Sequence, residues 1–272
     1  MLSIIIGVLT RIISNSYLNV FQKLLTNNGE KASTVNFFTY LGLSILSLIL
    51  LPQFIFNSEI FINVIIMGIL GSLGNYYIIK ALSCGELSTL APINSYKPVV
   101  ALVLGIFLLN EIPNITAVFG ILLIIIGTLF LTNSNFIFSK ACLYRMLALI
   151  FSGTEAIFIK KVILLSNISS AFIYWAFAGL IFALIIALKH PIRINRKHLK
   201  PQIMLILAVA LMQYSTNYVF SKMNVSYALA LFQLSTILSV FLGVNIFNEG
   251  KLLKKLLASI IMLAGAVILI IF

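Results

Sequence analysis

The chain has 272 residues, 61% of them hydrophobic and only 9% charged. A water-soluble domain of this length could not hide so much apolar surface, so an integral membrane protein is the class that fits. The net charge is +12, from 18 Lys+Arg against 6 acids, all of them glutamates; no separate basic domain exists to hold nucleic acid, so the excess is read as loops facing a cytoplasm or anionic lipid headgroups.

A membrane-spanning helix needs about 20 largely apolar residues. Ten segments meet that test, at roughly 2–22, 33–51, 60–80, 88–109, 113–132, 142–160, 168–188, 201–221, 226–247 and 252–271. Asn27-Asn28-Gly29 follows the first span and Pro52 the second, while Pro113 and Pro201 suit the opening turns of the fifth and eighth. The first run has no basic leader and no small-residue cleavage site, so it is expected to stay as a helix.

In the first span, Arg11, Asn15 and Asn19 recur every fourth residue and share a face. Arg11 lies too deep to reach the interface easily, which makes it a candidate for meeting an anionic substrate group; a fixed partnership with Glu155 or with helix carbonyls is the alternative. The third span carries Asn75, Tyr76 and Tyr77, with Gly68, Gly71, Ser72 and Gly74 read as helix packing. The fourth span contains LAPINSYKPVVALVLG (90–105), where Lys97 sits between Pro92 and Pro98 with Asn94 and Ser95 beside it. Two prolines remove two backbone donors and disturb bonding to the carbonyls of Ser88 and Asn94. Such a break is tolerated in hydrocarbon only where protein or cavity water satisfies the freed groups. A broken helix is therefore expected here, with Lys97 at a binding cavity.

The sixth span holds Glu155, the only acid well inside a span. It is a candidate proton-coupling group or a counter-ion for Arg11 or Lys97. The eighth span adds Gln213, Tyr214, Asn217 and Tyr218, and the ninth adds Gln233, Ser235 and Thr236. Each of these can bond a solute or another helix. Glu111 and Glu249 are expected to favour the dipole of the helix that follows each. No Ser-His-Asp set, paired intramembrane acids, HExxH or glycine-rich phosphate loop occurs, which argues against an enzyme, and no cofactor or metal is expected. Cys84 and Cys142 show no metal-ligand spacing and are expected to be free thiols.

The chain also repeats itself. LGIFLLNE (104–111) returns as LGVNIFNE (242–249), an offset of 138, and NYYIIK (75–80) returns as NYVFSK (217–222), an offset of 142. Two five-helix halves are expected, 1–135 and 136–272, linked near Asn133–Lys140. Five is odd, so the second half enters the membrane from the opposite side, which makes an inverted repeat. By the offset, Ser235 and Thr236 stand where Lys97 and Pro98 stand, so a charge and a break are expected in the first half alone. Counting loop lysines and arginines gives three on the N-terminal side (Lys160, Lys161, Lys222) and thirteen on the other, Lys23, Lys80 and Arg145 among them. The positive-inside rule then puts both termini outside, with the loop 188–201 as the main topology anchor.

The two halves, the Asn-Glu ends at 110–111 and 248–249, and SGTEAIFIK (152–160) together resemble the drug/metabolite transporter superfamily, in its EamA-type ten-helix form. The resemblance covers essentially the whole chain. It implies an inverted-repeat bundle around a central cavity and alternating-access transport of a small metabolite. Many relatives carry a tryptophan early in each half's first helix, whereas the only tryptophan here is Trp175 in the seventh span.

The expected protein is an all-α carrier with ten transmembrane helices, in a bacterial cytoplasmic membrane, moving a small polar, anionic or zwitterionic solute. Arg11 and Lys97 would meet its acid group, Glu155 would balance charge or take a coupling proton, and Asn15, Asn19, Asn75, Tyr76, Asn94, Ser95, Asn217 and Gln233 would hydrogen-bond the rest. Its partners are that solute and membrane lipid, not nucleic acid, and a monomer and a homodimer both fit. Competing readings are a multidrug exporter of organic cations, a lipid-headgroup flippase and a membrane scaffold without turnover.

Overall fold

The structure is a computed structural model; it describes residues 2–50, 57–129, 139–188 and 195–248, with positions 261, 262, 264, 265 and 268, and leaves the side chains of residues 92, 95, 128 and 129 undescribed. Every element among these residues is helical. The helices are α1 (Leu2–Asn27), α2 (Ala32–Ser47), α3 (Ser58–Leu82), α4 (Leu87–Leu90), α5 (Lys97–Leu109), α6 (Ile115–Leu129), α7 (Lys140–Leu165), α8 (Ile168–Ala187), α9 (Leu199–Phe220), α10 (Val225–Phe232) and α11 (Ser235–Phe247). Short 3-10 turns cover Leu48–Leu50, Pro92–Tyr96 and Arg196–His198. The last expected span, 252–271, and Glu249 lie largely or wholly outside the described residues.

Among the described residues, six helical stretches are long and apolar enough to cross a membrane: 2–27, 32–50, 58–82, 168–187, 196–220 and 225–247. Helix α7 has the length, at 26 residues, but carries Arg145, Glu155 and Lys160 buried within the protein. Charges at such depth are tolerated when they face protein or a cavity. Large apolar side chains such as Phe107, Ile115, Phe119 and Leu188 stand exposed on the outside, as contact with lipid tails requires.

Helix starts follow the usual chemistry. Asn57, Ser139 and Asn167 each accept a hydrogen bond from the backbone N–H three residues on, replacing a partner the first turn lacks. The repeated Asn-Glu motif has an equally local cause. Asn110 and Asn248 both take left-handed backbone angles, φ 54° and 56°, and their N–H groups close back on the carbonyls of Gly105 and Gly243. Asparagine tolerates this conformation better than most residues with a side chain, so it can end a helix where a turn must be tight.

Packing is reciprocal between the halves. Helix α1 lies along α9, and α3 along α7. Lys23 at the end of α1 donates to the carbonyl of Gly85 at 3.0 Å, and Lys160, 137 positions later, donates to that of Met223 at 3.1 Å, 138 positions after Gly85. In each half, a lysine from the first helix holds the turn that follows the third.

The expected break in the fourth span is present. Helix α4 stops at Leu90, a 3-10 turn runs from Pro92 to Tyr96, and α5 starts at Lys97. The Asn94 carbonyl is satisfied three residues on, by the Lys97 N–H. The expectation that only one half is broken does not hold. Helix α10 stops at Phe232 and α11 starts at Ser235, and between them Gln233, Leu234, Thr236 and Ile237 each bond three residues back. No proline is involved. The Gln233 side chain donates to the Leu229 carbonyl at 2.9 Å, inside its own turn, where it competes with the helical ladder.

Candidate functional site

The two breaks face each other, and α1 bonds to the second of them. Asn15 donates to Ser235 Oγ at 2.9 Å, Ser16 donates to the Ser235 carbonyl at 3.0 Å, and Asn94 reaches Gln233 Oε1 at 3.3 Å. One backbone carbonyl at the second break, that of Ser235, is therefore met by a side chain from the other half. Beside this seam lies a cavity of about 80 Å³. That is well above the roughly 10–15 Å³ needed to hold one water, so it has room for several waters or one small solute.

Four charged side chains line the cavity: Arg11 from α1, Lys97 from the start of α5, and Arg145 and Glu155 from α7. Arg11 is 7% exposed. Its Nε donates to Thr216 Oγ1 at 2.8 Å, its guanidinium carbon lies 5.0 Å from the centre of the Phe232 ring, and its Nη1 has no hydrogen-bond partner among the described residues. The expected alternatives for Arg11, a pairing with Glu155 or with helix carbonyls, are replaced by a hydroxyl and an aromatic face. Neither cancels its charge, so the cation stays available to the cavity.

Glu155 is held from two sides. Trp175 Nε1 donates to its Oε1 at 2.6 Å, and the Trp175 ring packs against Tyr40 with centroids 5.1 Å apart. Gly71 makes the space, since a Cβ there would lie 2.3 Å from Glu155 Oε1. Gly71 thus seats the carboxylate as well as letting helices approach. Trp175, noted in the sequence only as a departure from relatives, is the residue that fixes the acid.

Arg145 was counted among the loop charges. It is instead buried, 4% exposed, and lines the cavity, with Nε and Nη1 lacking protein partners. It lies five residues into α7, or roughly 8 Å along the axis. Lys160, also buried in α7, leaves the loop count with it, so twelve cations stand against two and the sign of the loop bias is unchanged.

Among the other residues singled out in the sequence, Asn15, Asn19, Asn75 and Asn94 line the cavity. Asn75 is already engaged, accepting from Gln22 at 2.9 Å and donating to Asn36 at 2.7 Å. Asn217 accepts from Gln213 at 2.9 Å and is buried away from the cavity wall, and Gln233 joins the two breaks. Tyr76 lies off the cavity, its ring 5.4 Å from Lys80 Nζ. The side chain of Ser95 is outside the described set. Thr39, Tyr40, Ser152, Gln213 and Thr216 also line the cavity. Spacing alone gave no signal for Thr39, Tyr40, Ser152 or Thr216.

Glu111 does not serve the helix that follows it. Its Oε2 accepts from the N–H of Val225, at the start of α10, at 2.8 Å, and its Oε1 lies 3.9 Å from Lys160 Nζ. A negative charge at that N-terminus offsets the positive end of a helix from the other half.

The sequence profile of the EamA-like transporter family matches residues 2–133 and again residues 139–271. The chain belongs to the EamA-like transporter family. Members of that family are membrane transporters rather than enzymes, and the multi-pass helical bundle around a polar cavity agrees with this EamA membership. No curated protein matches the chain. A solved crystal structure, titled only as that of a protein, superposes with a TM-score of 0.74 over 98% of this chain and 95% of its own, at 16% sequence identity. At that identity the likeness shows the EamA chain's fold alone.

Proposed function

We propose that this EamA-family protein carries a small anionic or zwitterionic solute across a bacterial cytoplasmic membrane by alternating access. It does so as ten spans in two inverted five-helix halves, 1–135 and 136–272. The observation that carries the reading is the convergence of Arg11, Lys97, Arg145 and Glu155 on one cavity beside two broken helices. Interrupted helices near the midplane are a usual setting for solute sites in transporters. Three cations against one carboxylate repel an organic cation, which weighs against the multidrug reading. The inverted arrangement is supported by the reciprocal packing of α1 on α9 and α3 on α7.

Alternating access requires contacts between the halves that break in turn at the two ends. Glu111 supplies one such contact, on Val225. Glu30 supplies another, its Oε1 lying 2.6 Å from His198 Nδ1 and accepting from the Asn195 N–H at 3.0 Å. One contact sits before the start of α9 and the other past its end, so the 22 residues of that helix separate them by roughly 33 Å. The loop charge bias supports Glu111 on the outer side and Glu30 on the cytoplasmic side. Glu155 balances the cations or carries a coupling proton.

The test is thermal unfolding of detergent-purified protein with alanine, acetate, succinate and tetraphenylphosphonium. Stabilisation by an anion or zwitterion, lost in Lys97→Ala, is expected. Stabilisation by tetraphenylphosphonium alone, or an unchanged response in Lys97→Ala, overturns the reading.

A further inference from the structure

Resting on the transport reading above, the charge and hydrogen-bonding inventory of the cavity narrows the solute further. We infer that the cavity takes a small dianion with both charges on oxygen, as in a dicarboxylate or a phosphate monoester, and that Arg145 sets this charge preference.

The first argument is charge. Arg11, Lys97 and Arg145 face the cavity and only Glu155 opposes them. Among the described residues, no other acid reaches it. Glu30 is at His198, Glu59 in the first turn of α3, Glu86 at the start of α4 and Glu111 at Val225. The cavity therefore holds a surplus of two positive charges in a setting that screens them poorly. A monoanion offsets half of that surplus. A zwitterion offsets none, because its ammonium group adds a fourth cation. A dianion brings the site to neutrality.

The second argument is hydrogen bonding. Among the described residues, the fully buried atoms of lining side chains that lack a hydrogen-bond partner include Arg11 Nη1, Arg145 Nε and Nη1, Tyr40 Oη and Ser152 Oγ. The guanidinium atoms can only donate, and the two hydroxyls can donate. One lining amide acceptor, Asn75 Oδ1, is taken up by Gln22. Glu155 Oε1 is taken up by Trp175. These guanidinium and hydroxyl donors suit a ligand with acceptor oxygens, and two planar guanidinium forks match carboxylate and phosphate geometry.

The third argument is size. A cavity of about 80 Å³ suits a compact solute with few heavy atoms.

Calorimetric titration of the full-length detergent-purified protein at mildly alkaline pH tests this, with succinate and inorganic phosphate against acetate and alanine. One additional buried charge-assisted contact predicts that at least one dianion binds about ten- to a hundredfold more tightly than acetate or alanine. Arg145→Gln should bring the dianion down to the level of acetate, and Arg145→Lys should keep part of the preference. The two dianions distinguish a dicarboxylate from a phosphate site. Acetate or alanine binding as tightly as both dianions to the wild type overturns the inference and leaves the transport reading standing. An unchanged preference in a folded Arg145→Gln protein removes the role of Arg145. Binding of tetraphenylphosphonium alone, or of none of these probes, overturns both readings.

Discussion

Trp175 Nε1 donates to Glu155 Oε1 at 2.6 Å, and the carboxylate rests where Gly71 has no side chain. The acid is thereby fixed by residues from α3 and α8, without a hydrogen bond from any of the three cations at the cavity among the described residues. Trp175→Phe keeps the ring and removes the donor. It should cost about 1–3 kcal/mol, as expected when a buried acceptor loses its partner. Thermal unfolding of the purified protein measures this. A stability equal to wild type would show that the carboxylate finds another donor at no cost.

Gly71→Ala puts a methyl group 2.3 Å from the Glu155 oxygen. The expected cost is about 1–3 kcal/mol, the usual range for overpacking. Ligand response should fall more than stability does, because the displaced group lines the cavity. Retention of full ligand stabilisation in Gly71→Ala would contradict the placement of Glu155 at the site.

Thr216→Val removes the acceptor for Arg11 Nε while keeping the side chain's shape. About 1–3 kcal/mol of stability should be lost. A dianionic ligand should then recover more stability in this variant than in wild type, since it supplies a new acceptor for the guanidinium. Thermal unfolding with and without succinate separates the two effects.

Asn110 and Asn248 hold left-handed backbone at the ends of α5 and α11. Replacing either by alanine should cost about 1–2 kcal/mol, and replacing it by glycine should be near neutral. Equal effects of alanine and glycine would mean that the side chain, not the backbone angle, is what the repeat requires.

Glu111 gives a pH signature. Burial raises its carboxyl above the ordinary value of 4.5, outweighing the Val225 N–H and Lys160, which pull it down. The folded state therefore keeps the proton over a range where the unfolded chain has lost it. The associated stability is fully present below 4.5 and is lost as pH rises through the raised value. The melting temperature of wild type relative to Glu111→Gln should fall as pH rises through that window. A difference that grows with pH would mean that the cap and the ion pair outweigh burial.

The legible part of this protein was the part with a local chemical cause. Pro92 and Pro98 announced the broken fourth span, and Arg11, Lys97 and Glu155 were visible because charge deep in an apolar run is costly. The break at Gln233 was not legible. It comes from one side chain bonding its own turn and from contacts with Asn94, not from proline or glycine. Arg145 was misread because loop-charge counting assigns residues near a helix start to the headgroup layer, and its depth shows only once α7 is seen to begin at Lys140. Thr216 and Trp175 became partners of Arg11 and Glu155 through the packing of α1 on α9 and of α7 on α8, which no spacing within one helix encodes.

The most direct test of the account is transport by protein reconstituted in liposomes, using radiolabelled alanine, acetate and succinate, with tetraphenylphosphonium as the opposing probe. The account predicts saturable movement of at least one of the first three and its fall to the protein-free rate in Lys97→Ala. Movement of tetraphenylphosphonium alone, or wild-type rates in Lys97→Ala, would contradict it.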